Sequence, residues 1–298
     1  MQSQRKAYLY GLSAVLCWST VATAFKLSLA HLSPAQLVLH ASATSALFLV
    51  GWLVLRGRGA ELLAGIRSDW RSSLLFGALN PCIYYLVLFQ AYSRLPAQEA
   101  QAINYTWALT MALLSVPILK QRLRAFDLLA AACCYLGVLT IATHGRPFSL
   151  EFSNLGGVAF ALGSTLLWSA YWLLNTRDRR EPLLGLALNF LFSLPLIAAW
   201  CAWRGELAWP AWQGLAGAAY VGVFEMGLTF VLWLNAMRLT RSAARISNLI
   251  FLSPLLSLFL IHFFVGEPIL SSTLVGLGLI LGGLALQQLG ARSEQVAG

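Results

Sequence analysis

Long apolar segments recur about ten times along this chain and leave only short polar gaps between them. An apolar segment of about 20 residues is long enough to cross a bilayer as an α-helix. The segments begin near Tyr8, Pro34, Trp70, Ala97, Ala125, Asn154, Leu183, Ala211, Ser242 and Ile269. The longest gap, about 56–69, is too short to form a domain of its own. The pattern predicts an all-α, multi-pass integral membrane protein with ten transmembrane helices.

Positive charges lie almost entirely in alternate gaps between these segments. If the amino terminus is cytoplasmic, the inside gaps hold 16 of the 20 Arg and Lys residues, whereas the outside gaps hold Arg94, Arg146 and Arg204. Cytoplasmic loops of membrane proteins carry such an excess of Lys and Arg. The bias predicts that both termini are cytoplasmic. It also accounts for the net charge of +9, so we expect no nucleic-acid partner.

Ten spans divide into two groups of five, and the two halves share a sparse pattern. Four residues of the first half return 144 positions later with the same identity: Arg94, Leu95, Ala100 and Asn104 correspond to Arg238, Leu239, Ala244 and Asn248. We therefore predict two five-helix repeats, residues 1–148 and 149–298, within one integrated transmembrane domain. Because each repeat has an odd number of spans, the second repeat enters the membrane from the opposite side, as in many secondary transporters.

The sequence lacks the short motifs of several enzyme classes. It contains no phosphate-binding loop with a Gly-Lys pair, no His-Glu zinc-protease motif and no GxSxG nucleophile elbow. The five cysteines all lie in apolar segments without CxxC spacing, which is typical of buried structural thiols. We expect no enzymatic activity, no metal and no cofactor.

Aromatic and amide side chains lie well inside several predicted spans, where a polar group needs a partner. Trp168 and Tyr171 share one face of the sixth span, and Asn104 and Trp107 share one face of the fourth. These residues predict a midplane cavity between the repeats. The candidate substrate-binding residues are Trp18, Tyr84, Asn104, Tyr105, Trp107, Trp168, Tyr171 and Asn248. The alternative is structural: the rings pack helix against helix, and the two asparagines form interhelical hydrogen bonds.

Three charged residues fall within predicted spans, where charge is costly and often functional. Glu225 lies near the middle of the eighth span and is a candidate proton carrier or ammonium ligand, although a structural role is equally open. Glu99 lies near the start of the fourth span. Lys26 lies near the outer end of the first, from which its side chain could reach the membrane surface.

Two further patterns concern helix shape and packing. Pro81, Pro117 and Pro254 are candidates to kink the third, fourth and ninth spans. The glycine run at 276–283 suits close helix packing, either inside the molecule, which we favour, or between two copies.

Several strings resemble the EamA-type branch of the drug/metabolite transporter superfamily. They are Cys17-Trp18-Ser19-Thr20, Leu167-Trp168-Ser169-Ala170-Tyr171, Leu252-Ser253-Pro254-Leu255 and Gly266-Glu267-Pro268. The string Ile103-Asn104-Tyr105-Thr106-Trp107 is similar to the fourth-helix motif of bacterial aromatic amino-acid exporters. The first half departs from the pattern, because Gln121-Arg122 stands where the second half has Gly266-Glu267.

The resemblance implies a bacterial inner-membrane protein that exports amino acids, aromatic ones above all, by alternating access. The substrate ring would stack on Trp107, Trp168 or Tyr84, and Asn104 and Asn248 would bind its carboxylate. The expected partners are a small-molecule substrate and the lipid bilayer, with the chain acting as a monomer. Three alternatives stay open: a broad exporter of drugs or other metabolites, an intramembrane enzyme, and a structural membrane protein without flux.

Overall fold

The computed structural model describes residues 2–119, 125–146, 152–240, 246 and 248–297, and this part of the chain is helical, without a β-strand. The α-helices of the first half are α1 (Gln2–Leu29), α2 (Pro34–Leu55), α3 (Gly59–Ser68), α4 (Trp70–Gly77), α5 (Tyr84–Arg94), α6 (Ala97–Asn104), α7 (Trp107–Leu119) and α8 (Ala125–Ala142). Those of the second half are α9 (Leu155–Asn175), α10 (Pro182–Trp203), α11 (Trp212–Tyr220), α12 (Thr229–Leu239), α13 (Leu252–Val265) and α14 (Ser271–Ala297).

Seven helical stretches in the described residues are long and apolar enough to cross a membrane. They are Gln4–Leu29, Pro34–Leu55, Trp70–Arg94, Leu155–Asn175, Pro182–Trp203, Trp212–Leu239 and Ser271–Gln288. Two shorter apolar helices are Leu128–Ala142 and Leu249–Val265. The predicted fourth span is divided into α6 and α7 by a turn at Tyr105 and Thr106. The predicted start of the ninth span at Ser242 lies outside the described residues, as does the Gln121-Arg122 pair.

The prolines act differently from one another. Asn80 has non-helical backbone angles beside Pro81, and the helix widens into a π-helical segment at Ala78–Ile83, so the predicted kink of the third span is confirmed. Pro117 lies inside the continuous helix α7. Pro254 falls in the first turn of α13, where the missing N–H costs no helical hydrogen bond.

A second π-helical segment, Val221–Leu228, joins α11 to α12 in the eighth span. The predicted repeat offset of 144 residues brings Ala78–Ile83 almost onto this segment. Turns of this kind loosen the regular hydrogen-bond ladder and are frequent at functional sites. Here the hydroxyl of Thr229 donates to the carbonyl oxygen of Phe224, which satisfies one acceptor that the widened turn releases.

The chain forms two compact units, and each contains segments from both sequence halves. The first unit comprises residues 1–89 and 179–266, and the second comprises 90–178 and 267–298. The boundary between the units therefore does not follow the predicted repeat boundary at 148/149. That boundary stays a prediction from the sequence.

In the first unit, polar contacts join the helix ends in two separate groups. Glu181 caps the start of α10 at the backbone N–H of Leu184 and accepts from Arg58 at 3.3 Å and from Arg238 at 3.2 Å. The pKa of Arg58 is raised, chiefly because its side chain donates a hydrogen bond to Glu61 and also because the negative charge of Glu181 lies nearby. The other group joins the loop before α2 to the loop after α10, where Ser33 donates to Glu206.

In the second unit, α8 and α14 pack closely through glycines. A Cβ atom placed on Gly137 would lie 2.5 Å from the carbonyl oxygen of Gly276, and one on Gly283 would lie 2.7 Å from the sulfur of Cys134. The predicted internal packing of the glycine run is therefore confirmed for Gly276 and Gly283. Gly278 and Gly282, which form the GxxxG motif itself, have nothing within 4 Å of that position.

Candidate functional site

The first unit places an acidic side chain among aromatic rings at the centre of the eighth span. Glu225 lies in the π-helical segment Val221–Leu228, and its Oε1 accepts a hydrogen bond from the hydroxyl of Tyr85 at 3.2 Å. Trp18 of α1 approaches the same carboxyl. The second oxygen, Oε2, is buried and has no hydrogen-bond partner among the described residues. A buried acceptor without a partner is costly, so this carboxyl is suited to gaining a proton or a donor.

Aromatic residues continue this cluster on both sides. The ring of Trp18 lies 5.2 Å from that of Trp233, and Tyr84 packs edge to face against Tyr85 with centroids 4.8 Å apart. The buried position of Tyr84 agrees with its predicted place inside the third span. Nearby on α1, Thr20 and Tyr220 share a hydrogen bond of 2.7 Å between their hydroxyls.

The second unit carries a cluster of three aromatic rings on α9. Trp168 stacks on Tyr171 with centroids 5.7 Å apart and an interplanar angle of 26°, and both rings contact Trp172 edge to face at 5.8 and 5.9 Å. The predicted common face is therefore present. The indole nitrogen of Trp172 is buried without a hydrogen-bond partner in the described part of the chain. The cluster thus combines flat apolar surfaces with an unused donor.

The predicted residues of the fourth span contact the same helix, α9. The amide of Asn104 donates to the hydroxyl of Ser164 at 3.0 Å, and the carbonyl oxygen of Trp107 accepts from Ser169 at 2.8 Å. Thr110 and Thr165 add a third contact at 3.1 Å. Asn104 therefore forms the interhelical hydrogen bond that was the structural alternative. The side chains of Asn104, Tyr105 and Trp107 are each half-buried, which leaves part of each surface accessible.

Glu99, the other predicted acid, binds groups at two neighbouring helix ends. Its side chain is 4% exposed, with Oε1 2.8 Å from His144 Nε2 and Oε2 accepting from Ser153 at 2.7 Å. His144 follows α8 and Ser153 precedes α9. The carboxylate therefore fastens α6 to both helices, and this contact is evidence for a structural role.

We expect Glu99→Ala to destabilise the protein by about 1–3 kcal/mol, because it opens a cavity and removes the partner of two polar groups. Thermal unfolding of the purified protein measures the effect. Glu61→Ala is the matched control. Its carboxylate is exposed and pairs with Arg58 on the surface, where an ion pair adds little stability. Equal melting temperatures for both variants would contradict the role assigned to Glu99.

The remaining predicted residues divide as follows. Lys26 lies in the last turn of α1 and is partly exposed, and the reach of its side chain to the membrane surface stays a prediction. The side chain of Asn248 lies outside the described part of the structure. Tyr85 and Trp172 are not among the residues predicted from the sequence, because no sequence signal shows a contact with Glu225 or an unsatisfied indole donor.

Together, the apolar spans, the two π-helical segments and the aromatic clusters define a multi-pass helical membrane protein with polar groups buried in its interior. The sequence pattern of the EamA-like transporter family matches residues 5–143 and again residues 155–287. The chain therefore belongs to the EamA-like transporter family, with two copies of its domain, and is a membrane transporter.

Proteins from three bacteria are similar in sequence to this chain. The aromatic amino acid exporter YddG of Ancylobacter novellus is 27% identical, across 97% of this chain and 99% of that protein. The uncharacterized transporter YvbV of Bacillus subtilis is 22% identical across 78% and 76% of the two chains. Protein PecM of Dickeya dadantii is 27% identical across 74% and 73%.

The fold is also found in a crystal structure that is 23% identical in sequence. The two structures superpose with a TM-score of 0.69 across 96% of this chain and 98% of the other. At this level of identity the likeness establishes the fold alone. It extends over nearly the whole length of both chains.

Proposed function

We propose that this protein exports aromatic amino acids and related metabolites from the cytoplasm. The observation that carries the proposal is the similarity to an aromatic amino acid exporter over 97% of the chain. The three-ring cluster on α9 supports it, because flat aromatic surfaces stack on aromatic substrates and attract an ammonium group through their π faces. Transport would proceed by alternating access around a site near the membrane midplane, built from the two repeats.

The binding roles follow from the chemistry of each group. Trp168 and Tyr171 would stack on the substrate ring, with Trp107, Tyr84 and Trp18 as further aromatic surfaces. The indole N–H of Trp172, buried without a partner among the described residues, would donate to the substrate carboxylate. Tyr105 and the amides of Asn104 and Asn248 would add polar contacts.

We also propose that the chain crosses the bacterial inner membrane ten times with both termini in the cytoplasm. The contacts between helix ends support this arrangement. Gln4 near the amino terminus contacts Thr240 at 3.3 Å, and Arg58 and Arg238 both contact Glu181. All five residues lie at predicted inside ends. Within the second unit, Glu99 contacts His144 and Ser153, and all three lie at predicted outside ends.

Glu225 is the group that we propose gains and loses a proton during transport. Its neighbours are Tyr85 from α5 and Trp18 and Cys17 from α1, none of which carries a positive charge that would hold the carboxyl ionised. We expect an inward-directed proton gradient, with the outside acidic, to accelerate amino-acid efflux by the wild type and not by Glu225→Gln. Flux in proteoliposomes with and without the gradient measures this effect. Equal acceleration of both proteins would contradict the assignment.

A competition experiment tests the substrate class. Proteoliposomes that contain the protein would be given labelled tryptophan together with an excess of unlabelled phenylalanine, threonine or a cationic aromatic dye. We expect phenylalanine to compete strongly and threonine weakly, because only phenylalanine presents a ring to the cluster on α9. Competition by the dye and not by phenylalanine would favour the broad-specificity drug exporter instead.

A further inference from the structure

Helix α6 has no capping side chain at its own amino-terminal end. The residue before it is Pro96, which makes no side-chain hydrogen bond to the helix. The first backbone N–H groups of any α-helix lack partners within the helix, and a buried one left unpaired is costly. Ala97, Gln98 and Glu99 in this first turn are all buried. The N–H groups of α6 therefore need an acceptor from elsewhere in the chain.

Glu267 supplies this acceptor from a position 170 residues away in the sequence. Its Oε1 accepts from the backbone N–H of Ala97 at 2.6 Å, and its Oε2 accepts from that of Gln98 at 3.2 Å. A carboxylate at this place also interacts favourably with the positive end of the helix dipole. Both oxygens of one side chain are thus committed to the start of one helix.

The contact is reciprocal, because α6 also binds the backbone around Glu267. The side-chain amide of Gln98 donates to the carbonyl oxygen of Pro268 at 3.2 Å and lies 3.4 Å from that of Glu267. The arrangement resembles a capping box, because each of the two segments supplies hydrogen-bond partners to the other. Unlike a capping box, its two parts come from distant segments of the chain. It fastens α6 to the loop between α13 and α14.

This fastening matters because α6 is short and ends at a candidate site residue. The helix contains only eight residues, Ala97–Asn104, and Trp107 begins the next helix after a two-residue turn. An isolated helix of this length is unstable in water and depends on contacts from outside itself. Asn104 is the last residue of α6 and lies about two helical turns after the capped first turn.

We propose that Glu267 is a positioning residue that caps α6 and thereby holds Asn104, Tyr105 and Trp107 in place for substrate binding. The part of this proposal that concerns transport rests on the function proposed above. The capping itself does not, and it can be measured without any substrate.

Hydrogen–deuterium exchange of the full-length protein in lipid nanodiscs tests the cap. In Glu267→Gln, one of the two acceptor oxygens becomes an NH₂ group that faces a backbone donor. We expect amides in 97–104 to exchange about three- to tenfold faster than in the wild type, as the loss of a helix cap predicts. Exchange in α2, which belongs to the first unit, should be unchanged. Unchanged exchange in 97–104 would overturn the proposal.

Two further variants make the result specific. Glu206→Gln removes the same charge from the loop after α10, where the carboxylate binds Ser33 and Arg204, and should leave 97–104 unchanged. Gln98→Ala removes only the reciprocal contacts and should accelerate exchange in 97–104 to a smaller extent. If the Glu267→Gln protein does not fold, the Gln98→Ala variant decides the question alone. Unchanged exchange of the 97–104 amides in Gln98→Ala would then overturn the proposal.

The kinetic consequence separates positioning from general stability. In Glu267→Gln we expect the KM for tryptophan to rise about three- to tenfold, with a smaller change in maximal rate, because the variant alters substrate binding through Asn104, Tyr105 and Trp107. A lower maximal rate with an unchanged KM would show a structural role only. If hydrogen–deuterium exchange of 97–104 is faster in Glu267→Gln but the wild type moves no aromatic amino acid, the capping role stands and the proposed function is rejected.

Discussion

Replacing Trp168 with alanine should lower the initial rate of tryptophan uptake at subsaturating concentration by about tenfold or more. Trp168 stacks on Tyr171 at 5.7 Å and contacts Trp172 at 5.8 Å, so the substitution removes the central ring of the α9 cluster. Loss of an aromatic stack and its buried area costs about 1.5–3 kcal/mol, and 1.4 kcal/mol corresponds to a factor of ten. Uptake of labelled tryptophan into proteoliposomes measures the effect.

Trp212→Ala provides the matched control for this prediction. Trp212 is 73% exposed at the start of α11, a position typical of a tryptophan in the interfacial belt of a membrane protein. We expect its removal to change the uptake rate by less than about twofold. Similar losses in the two variants would mean that the α9 cluster has no special part in substrate binding.

Replacing Gly137 with alanine should destabilise the second unit strongly. The new Cβ would lie 2.5 Å from the carbonyl oxygen of Gly276 and 2.9 Å from Ile280, so α8 and α14 must separate. Overpacking of this kind costs about 1–3 kcal/mol. For a chain of this size that corresponds to a fall in melting temperature of roughly 2–5 °C. A thermal unfolding curve in detergent provides the measurement.

Gly282→Ala is the control, since it makes the same chemical change on the face of α14 that does not pack against α8. Nothing lies within 4 Å of the added Cβ, and alanine favours the helix more than glycine does. Its melting temperature should equal or slightly exceed that of the wild type. A loss at Gly282 as large as that at Gly137 would instead indicate that the GxxxG face packs against a second copy of the chain.

Features that depend on local sequence could be predicted in advance. The apolar segments gave the long helices, because segment length decides whether a helix can cross a bilayer. Pro81 marked the kink in the third span, since proline removes a helical hydrogen bond. The i, i+3 and i+4 spacing of Trp168, Tyr171 and Trp172 placed three rings together, as helical geometry requires.

Features that depend on distant segments could not be predicted. The pairing of Glu99 with His144 joins residues 45 positions apart, and the cap that Glu267 places on α6 spans 170. The break of the fourth span at Tyr105 had no proline or glycine to mark it. A single sequence shows which polar groups need partners, but tertiary packing decides which partners they obtain.

The initial rate of tryptophan and phenylalanine flux into proteoliposomes tests the central claim most directly. Purified protein would be reconstituted and compared with protein-free liposomes from the same lipid, with labelled amino acid over a range of concentrations. We predict saturable flux of both amino acids that requires the protein. Folded, reconstituted protein that moves neither amino acid above the rate of protein-free liposomes would contradict the assignment as an aromatic amino-acid exporter.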